Sequence, residues 1–293
     1  MAESLNPKID MVFKRIFGVD ENKDLLISLI NATVSEEDKV SQVTIKNPYT
    51  LKRFKKDKQS VLDIRAESAS GRLYDIEIQV ADEQDYDKRA LFYWGKMYTD
   101  QIQSGEDYSL LNKAIGIHIL NFTSIPGVEK YHNVFQMREV DSHIHYFKNV
   151  ELHTIELNKF WKSPAREQEK ELAVLLSKAK KSLDMWVAFL TRHDLLTQNV
   201  LKGSLGDPCL KKALHVLEHI NFTKKERELY EDRLKWLRME VSALKKVEND
   251  ALERGREEGI GLVAQNLLKK NVDIAIIMES TGLTEDAINA LRK

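Results

Sequence analysis

The tightest constraint on this chain comes from two short segments in which apolar and polar residues take turns. They are Leu62-Asp63-Ile64-Arg65-Ala66-Glu67 and Tyr74-Asp75-Ile76-Glu77-Ile78-Gln79-Val80. Alternation of this kind specifies a strand with one apolar and one polar face. Between them Ser68-Ala69-Ser70-Gly71 is a turn-forming cluster. If the two segments pair as a hairpin, opposed residues must share a face. Pairing Ile64 with Ile76 and Leu62 with Ile78 meets that requirement and sets Asp63 directly across from Glu77. Two carboxylates then stand roughly 5 Å apart at their Cβ atoms. Like charges so placed destabilise a sheet unless a cation or a proton relieves them. Hard oxygen donors suit magnesium or manganese, which take one or two carboxylates and leave their other positions to water and phosphate. Gln79 falls on the same face, where its amide is able to orient a water. This is equipment for metal-assisted phosphodiester hydrolysis. A solvated polar face on a half-exposed hairpin carries the same pattern.

The flanking sequence supplies a fold around the hairpin. Ile9, Val12, Phe13, Ile16 and Phe17 recur at helical spacing, so residues 8–19 are expected to form a helix, followed by another over 23–33. Further strands are expected at 43–45, 114–120, 133–139, 143–146 and 151–157, with a helix over 87–102. Helix, strand meander, helix and strands again indicate an α/β mixed sheet flanked by helices, in a domain covering residues 1–160. A helical region then occupies 161–258, with helices over 169–191, 210–221 and 224–258. In the last of these Tyr230, Leu234, Leu237, Val241 and Leu244 form an a/d seam. The seam fits packing on the body of the protein or pairing with a second subunit through the C-terminal helices.

Residues 259–293 complete the chain as a small helical module. Helices over 262–270, 273–280 and 284–293, with Thr281-Gly282 at a tight turn, are similar to a helix-turn-helix. Glu285 and Asp286 at the start of the would-be recognition helix would repel phosphate, so packing or oligomerisation is the expected role. Gly255, Gly259 and Gly261 suggest a bendable connection before it.

Composition narrows the partners. The 293 residues carry a net charge of −1, so any nucleic-acid binding must come from a local patch rather than a global field. Lys52, Arg53, Lys55, Lys56 and Lys58 surround Phe54 just before Asp63, and either track a DNA backbone or form a solvated loop. The single cysteine, Cys209, excludes an intramolecular disulfide and any thiolate zinc cluster. No apolar run approaches the roughly 18 residues that span a bilayer, so no membrane partner is expected. The first residues contain no apolar signal core, and a cytoplasmic location is expected. His215 and His219 are spaced as zinc ligands can be, but lack a third donor and read as ordinary helix residues, as His143 and His145 read as structural. There is no phosphate-binding glycine loop followed by Lys and Ser or Thr, which argues against ATP hydrolysis.

Several segments in order resemble one family. They are Val61 through Ala66, Gly71-Arg72, Tyr74 through Val80, and Lys88-Arg89-Ala90-Leu91-Phe92-Tyr93-Trp94, preceded by Asp10 through Gly18 and Glu21 through Leu26. Together they look like the Rpn family of recombination-promoting nucleases, transposase-like members of the PD-(D/E)XK superfamily. The resemblance covers residues 6–160 well and the helical tail loosely. It implies a restriction-endonuclease-like core that cleaves double-stranded DNA with Mg2+, or Mn2+ in its place, and a link to recombination or mobile elements. Position by position, it gives Asp63 the role of the metal-ligating Asp and Glu77 that of the acidic residue in the (D/E)XK triplet. Gln79 stands where the superfamily usually has lysine, and a glutamine brings no charge to the transition state. Asp10 resembles an accessory acidic position, although capping of its helix would explain it too. Arg89 and Tyr93 share one helix face. Arg89 suits a phosphate contact, while packing explains the aromatics equally well. The competing reading is a non-catalytic DNA-binding or interaction protein that retains the nuclease fold.

Overall fold

A computed structural model of the chain describes residues 5–47, 64–82, 85–160, 173, 175, 177–196 and 207–291. Asp63 and the basic segment Lys52, Arg53, Lys55, Lys56 and Lys58 lie outside the described residues.

The described strands are β1 (Val43–Ile45), β2 (Ile64–Ser68), β3 (Leu73–Gln79), β4 (Ala114–Leu120), β5 (His132–Gln136) and β6 (Val150–Glu156). They form one sheet in the order β1-β2-β3-β4-β6-β5. The first three strands are an antiparallel meander, β3, β4 and β6 run parallel, and β5 closes one edge antiparallel to β6. Within the β2–β3 hairpin Ile64 pairs with Ile76 and Ala66 with Tyr74, the register that the alternation requires. The turn is closed by Gly71 N–H donating to Ser68 O at 3.0 Å. Gly71 has φ +83°, and a Cβ there would meet Asn112 Nδ2 at 2.7 Å, so only glycine fits.

The two faces of the sheet have different tasks. Tyr74, Ile76, Ile78, Ile115, Ile117 and Ile119 alternate onto one face and are buried to 1% exposure or less. Helices α1 (Asp10–Phe17) and α2 (Lys23–Thr33) belong to that core. Phe17 meets Trp186 of a later helix edge-on, with ring centroids 5.3 Å apart, and Trp186 Nε1 donates to Ser28 Oγ of α2 at 3.2 Å. Leu73, Asp75, Glu77 and Gln79 fall on the opposite face. There α3 (Tyr86–Thr99) carries the parallel crossover from β3 to β4. It seats Trp94 and Met97 against Ala114, Leu73, Val150 and Leu152, with Trp94 Nε1 donating to Ala114 O at 2.9 Å. The apolar end of this face anchors the helix. Its polar end remains for chemistry.

Four expectations are corrected. Residues 143–146 form no strand: Glu139 accepts the backbone N–H of Asp141 and Ser142, and His143 adopts φ +57°, so the chain turns instead of extending. Ile144 and Tyr146 are exposed there, and no buried face exists to reward pairing. The helix expected over 169–191 is interrupted at Ala179 and Lys180. Asp184 accepts the N–H groups of Lys180 at 3.0 Å and Lys181 at 2.8 Å and starts a new helix, α5 (Ser182–Arg192), after the short α4 (Leu157–Phe160). Beyond α6 (Pro208–His219), the segments 224–258 and 262–270 are one helix, α7 (Lys224–Lys269), which runs through Gly255, Gly259 and Gly261. These glycines therefore lie within a helix and not in a connecting segment. Each costs roughly 1 kcal/mol against alanine, a penalty that strong helix formers around them outweigh.

The chain divides into two compact units, Met1–Leu234 and Lys235–Lys293. In the first, the start of α7 is tied to the body: Asn6 N–H donates to the Tyr230 hydroxyl at 3.0 Å, and Arg15 pairs with Glu226 at 3.1 Å. The seam residue Tyr230 thus packs on its own chain, while Val241 is exposed. In the second, Ala264, Ile277 and Ile288 form a small core between α7, α8 (Ile274–Thr281) and α9 (Glu285–Ala290). Gly282, at φ +71°, makes the turn between the last two helices.

Candidate functional site

β3 builds the site by placing three polar side chains at every second residue. Asp75, Glu77 and Gln79 are 4%, 8% and 3% exposed and lie in line on the sheet face away from the isoleucine core. Burial of charged groups demands compensation, and the neighbouring elements provide it. Glu77 pairs in register with His118 of β4. Its Oε2 is 3.6 Å from His118 Nδ1, and its Oε1 is 3.6 Å from Arg89 Nη2 on the first turns of α3. Tyr86, the first residue of α3, places its hydroxyl 2.7 Å from the same His118 nitrogen. The Arg89 guanidinium also lies over the Tyr86 ring, 5.3 Å from its centroid.

Space for the imidazole comes from Gly116, the register partner of Asp75. A Cβ at Gly116 would stand 2.8 Å from His118 Nε2 and 2.7 Å from Leu152 Cδ2. The missing side chain lets His118 lean along its own strand towards Asp75. Burial pushes the Asp75 carboxyl up to about 6, against the opposing charges of Arg65 and His118 and reinforced by Glu77. Its Oδ1 is buried without a hydrogen-bond partner. Gln79 is held differently, with its Nε2 donating to Ala81 O at 3.1 Å.

The structure places Glu77 and Gln79 on one face of β3, as their alternation requires, and brings Arg89 of α3 to 3.6 Å from Glu77, a proximity that its spacing to Tyr93 does not encode. Asp10 is buried on α1, with Oδ1 lacking a hydrogen-bond partner and Arg233 Nε standing 3.9 Å away. Tyr93, one turn beyond Arg89, meets Phe92 edge-on at 5.5 Å. His118, Tyr86 and Asp75 were missed. A signal existed for two of them: Asp75 shares the alternation of Glu77, and His118 is the polar side chain in the apolar run Ala114–Leu120. Tyr86 carried none, because its role depends on where the crossover helix begins. The histidines 215 and 219 stack at 3.9 Å, and His219 Nδ1 donates to His215 O at 2.8 Å, an intrahelical arrangement.

The donors present suit a hard divalent cation. Among the described residues, Arg89 Nη2 and His118 Nδ1 each stand 3.6 Å from a Glu77 oxygen, beyond hydrogen-bond reach, and Asp75 adds a buried Oδ1 without a hydrogen-bond partner. Among the described residues no group of three His, Cys, Asp or Glu side chains forms a ready-made cage. Magnesium-type ions do not require one, since they usually bind through one or two carboxylates.

A family profile described as PD-(D/E)XK nuclease family transposase matches residues 7–246. Neither a curated protein nor a solved structure matches the chain.

Proposed function

The chain belongs to the PD-(D/E)XK nuclease family of transposases, and on that premise we propose that it is a magnesium-dependent endonuclease acting on double-stranded DNA. The observation that carries this reading is the buried Glu77 on the polar face of β3, which among the described residues stands 3.6 Å from both Arg89 Nη2 and His118 Nδ1. In the proposal Glu77 and Asp63 hold Mg2+, with Mn2+ as a substitute. The ion, when bound, lowers the pKa of water and stabilises charge on the leaving oxygen. Gln79 orients the water that attacks. Lacking the charge of a lysine, it leaves the neutralisation of the phosphate to Arg89. Asp10 supports the site from α1, and Tyr93 lines the helix face beside Arg89. Lys52, Arg53, Lys55, Lys56 and Lys58 track the DNA backbone.

We further infer a role in recombination or mobile-element movement, a cytoplasmic location and a homodimer formed through the C-terminal helices. Exposed Trp236, Met239, Val241, Val247 and Leu252 along α7 support the last of these.

Gln79 also favours a second reading, a DNA-binding protein that has lost cleavage, because no lysine follows Glu77 at that spacing. Nicking of supercoiled plasmid separates the two. An active nuclease nicks in Mg2+, stops in EDTA, and loses activity in Asp63→Ala and Glu77→Ala. Binding without nicking at any Mg2+ concentration establishes the second reading, and undiminished nicking by both variants refutes the site.

A further inference from the structure

We propose that a cavity beside Arg65, on the same face of the sheet as Glu77, binds one nucleotide unit of a DNA strand, with the phosphate on Arg65 and the base against Leu73, Met97 and Leu110. The inference rests on the reading of the chain as one that acts on DNA, and adds a contact region apart from the proposed metal ligands.

Arg65 is the starting point. It pairs across the β2–β3 ladder with Asp75, so it lies on the polar face of the hairpin. Its Nε is buried without a hydrogen-bond partner. Asp75 meets it through charge and not through a hydrogen bond, and Asp75 Oδ1 is itself without a partner. A guanidinium offers a planar fork of N–H donors that matches a phosphate, and a buried donor left unmade is costly. An acceptor from outside the chain removes that cost.

The cavity shows what the acceptor is attached to. It encloses about 330 Å³, the lower end of the range for small-ligand sites, and its walls differ in character. On the strand side Arg65 stands beside Lys46, which is paired with Glu67. On the helix side are Asp100, which caps the C-terminal end of α3, and Gln101. A carboxylate and the negative end of a helix favour hydrogen-bond donors and repel a second anion. Leu73, Met97 and Leu110 supply apolar surface between the two walls. The helix side is preformed, because Asn112 N–H donates to Gln101 Oε1 at 2.9 Å and Gln101 Nε2 donates to Asn112 O at 3.1 Å. Leu110 is 55% exposed, so the cavity opens to solvent at that point. The complementary ligand is anionic at one end, apolar and flat in the middle, and a hydrogen-bond donor at the other. A nucleotide whose base carries an exocyclic amine has that order of groups, and thymine lacks the amine.

Isothermal titration calorimetry of the full chain, without metal, tests this with dAMP, dTMP, deoxyadenosine and inorganic phosphate. The dAMP should bind, and the other three should each bind about 10-fold more weakly or worse. Arg65→Gln should weaken dAMP by a similar factor, and Leu110→Ser, at an exposed position, should weaken it without lowering the melting temperature. A short single-stranded oligonucleotide should displace dAMP. Absence of dAMP binding overturns the proposal, as does undiminished binding in a folded Arg65→Gln. Phosphate binding as tight as dAMP overturns the base pocket, and dAMP that the oligonucleotide fails to displace overturns the DNA source. The two readings fail separately. Nicking without dAMP binding refutes only the cavity, whereas dAMP binding displaced by DNA, with no nicking in Mg2+, refutes only the nuclease.

Discussion

Asp75 is the residue at which burial and charge conflict most openly. Its carboxyl is pushed up to about 6 by burial, beyond what Arg65 and His118 offset, and its Oδ1 has no hydrogen-bond partner. A folded-state pKa above the ordinary 3.8 means that the folded protein takes up this proton before the unfolded chain does. The contribution of Asp75 to stability is therefore most favourable below 3.8 and is lost as pH rises through about 6. Asp75→Asn removes the charge at nearly constant shape. It should raise stability by about 1–3 kcal/mol at pH 7.5, and the gain should vanish towards pH 4. Thermal denaturation at the two pH values checks this, and a variant less stable at pH 7.5 would show that the Asp75 charge is compensated after all.

At the scale of elements, β4 holds the site together through the smallest residue it has. Gly116→Ala would put a methyl 2.8 Å from His118 Nε2 and 2.7 Å from Leu152 Cδ2. It should destabilise the fold by about 1–3 kcal/mol through overpacking, and it should reduce nicking further by pushing His118 towards Glu77. Denaturant melts and plasmid nicking on the same preparation measure both effects. The β2–β3 hairpin was legible in the sequence because period-2 alternation and one turn leave a single register. The same logic failed at residues 143–146, where Ile144 and Tyr146 alternate with histidines but cover nothing. It failed again at Ala179 and Lys180, where one carboxylate, Asp184, captures two backbone N–H groups and restarts the helix. Neither event leaves a periodic trace. His118 and Tyr86 belong to elements that were recognised, yet their meeting depends on how a crossover helix lands on the sheet. No local pattern encodes that. Asp184→Ala should cost about 1–2 kcal/mol by freeing those N–H groups, and hydrogen exchange at Lys180 and Lys181 should rise.

Across the whole molecule the far face of the sheet carries a second polar network. Glu151 accepts from Lys113 at 3.2 Å and Gln136 at 2.8 Å and meets His153 Nε2 at 2.9 Å, while His153 Nδ1 lies 3.0 Å from His132 Nε2. Burial favours the protonated form of Glu151, but the hydrogen bonds from His153 and Gln136 and the Lys113 charge outweigh it and draw the carboxyl down to about 2. Burial, with the charges of His153, Lys130 and Lys181, lowers His132 to about 4. A base depressed in the folded state loses its stabilising contribution as pH falls from the ordinary 6.5 towards 4, because only the unfolded chain takes the proton there. Asp75 acts oppositely over much of that window. In an Asp75→Asn background, melting temperature should therefore fall between pH 6.5 and 4.5, and His132→Gln should flatten the fall. The second unit bears on assembly: if the exposed residues of α7 pair two copies, sedimentation should give a dimer for the full chain and a monomer for one ending at Leu234. Turnover as proposed presupposes a cation held at Glu77. Crystals soaked in Mn2+ test that claim most directly: anomalous density should lie in contact with the Glu77 and Asp63 carboxylates, and a fully soaked crystal with no peak at either carboxylate would contradict it.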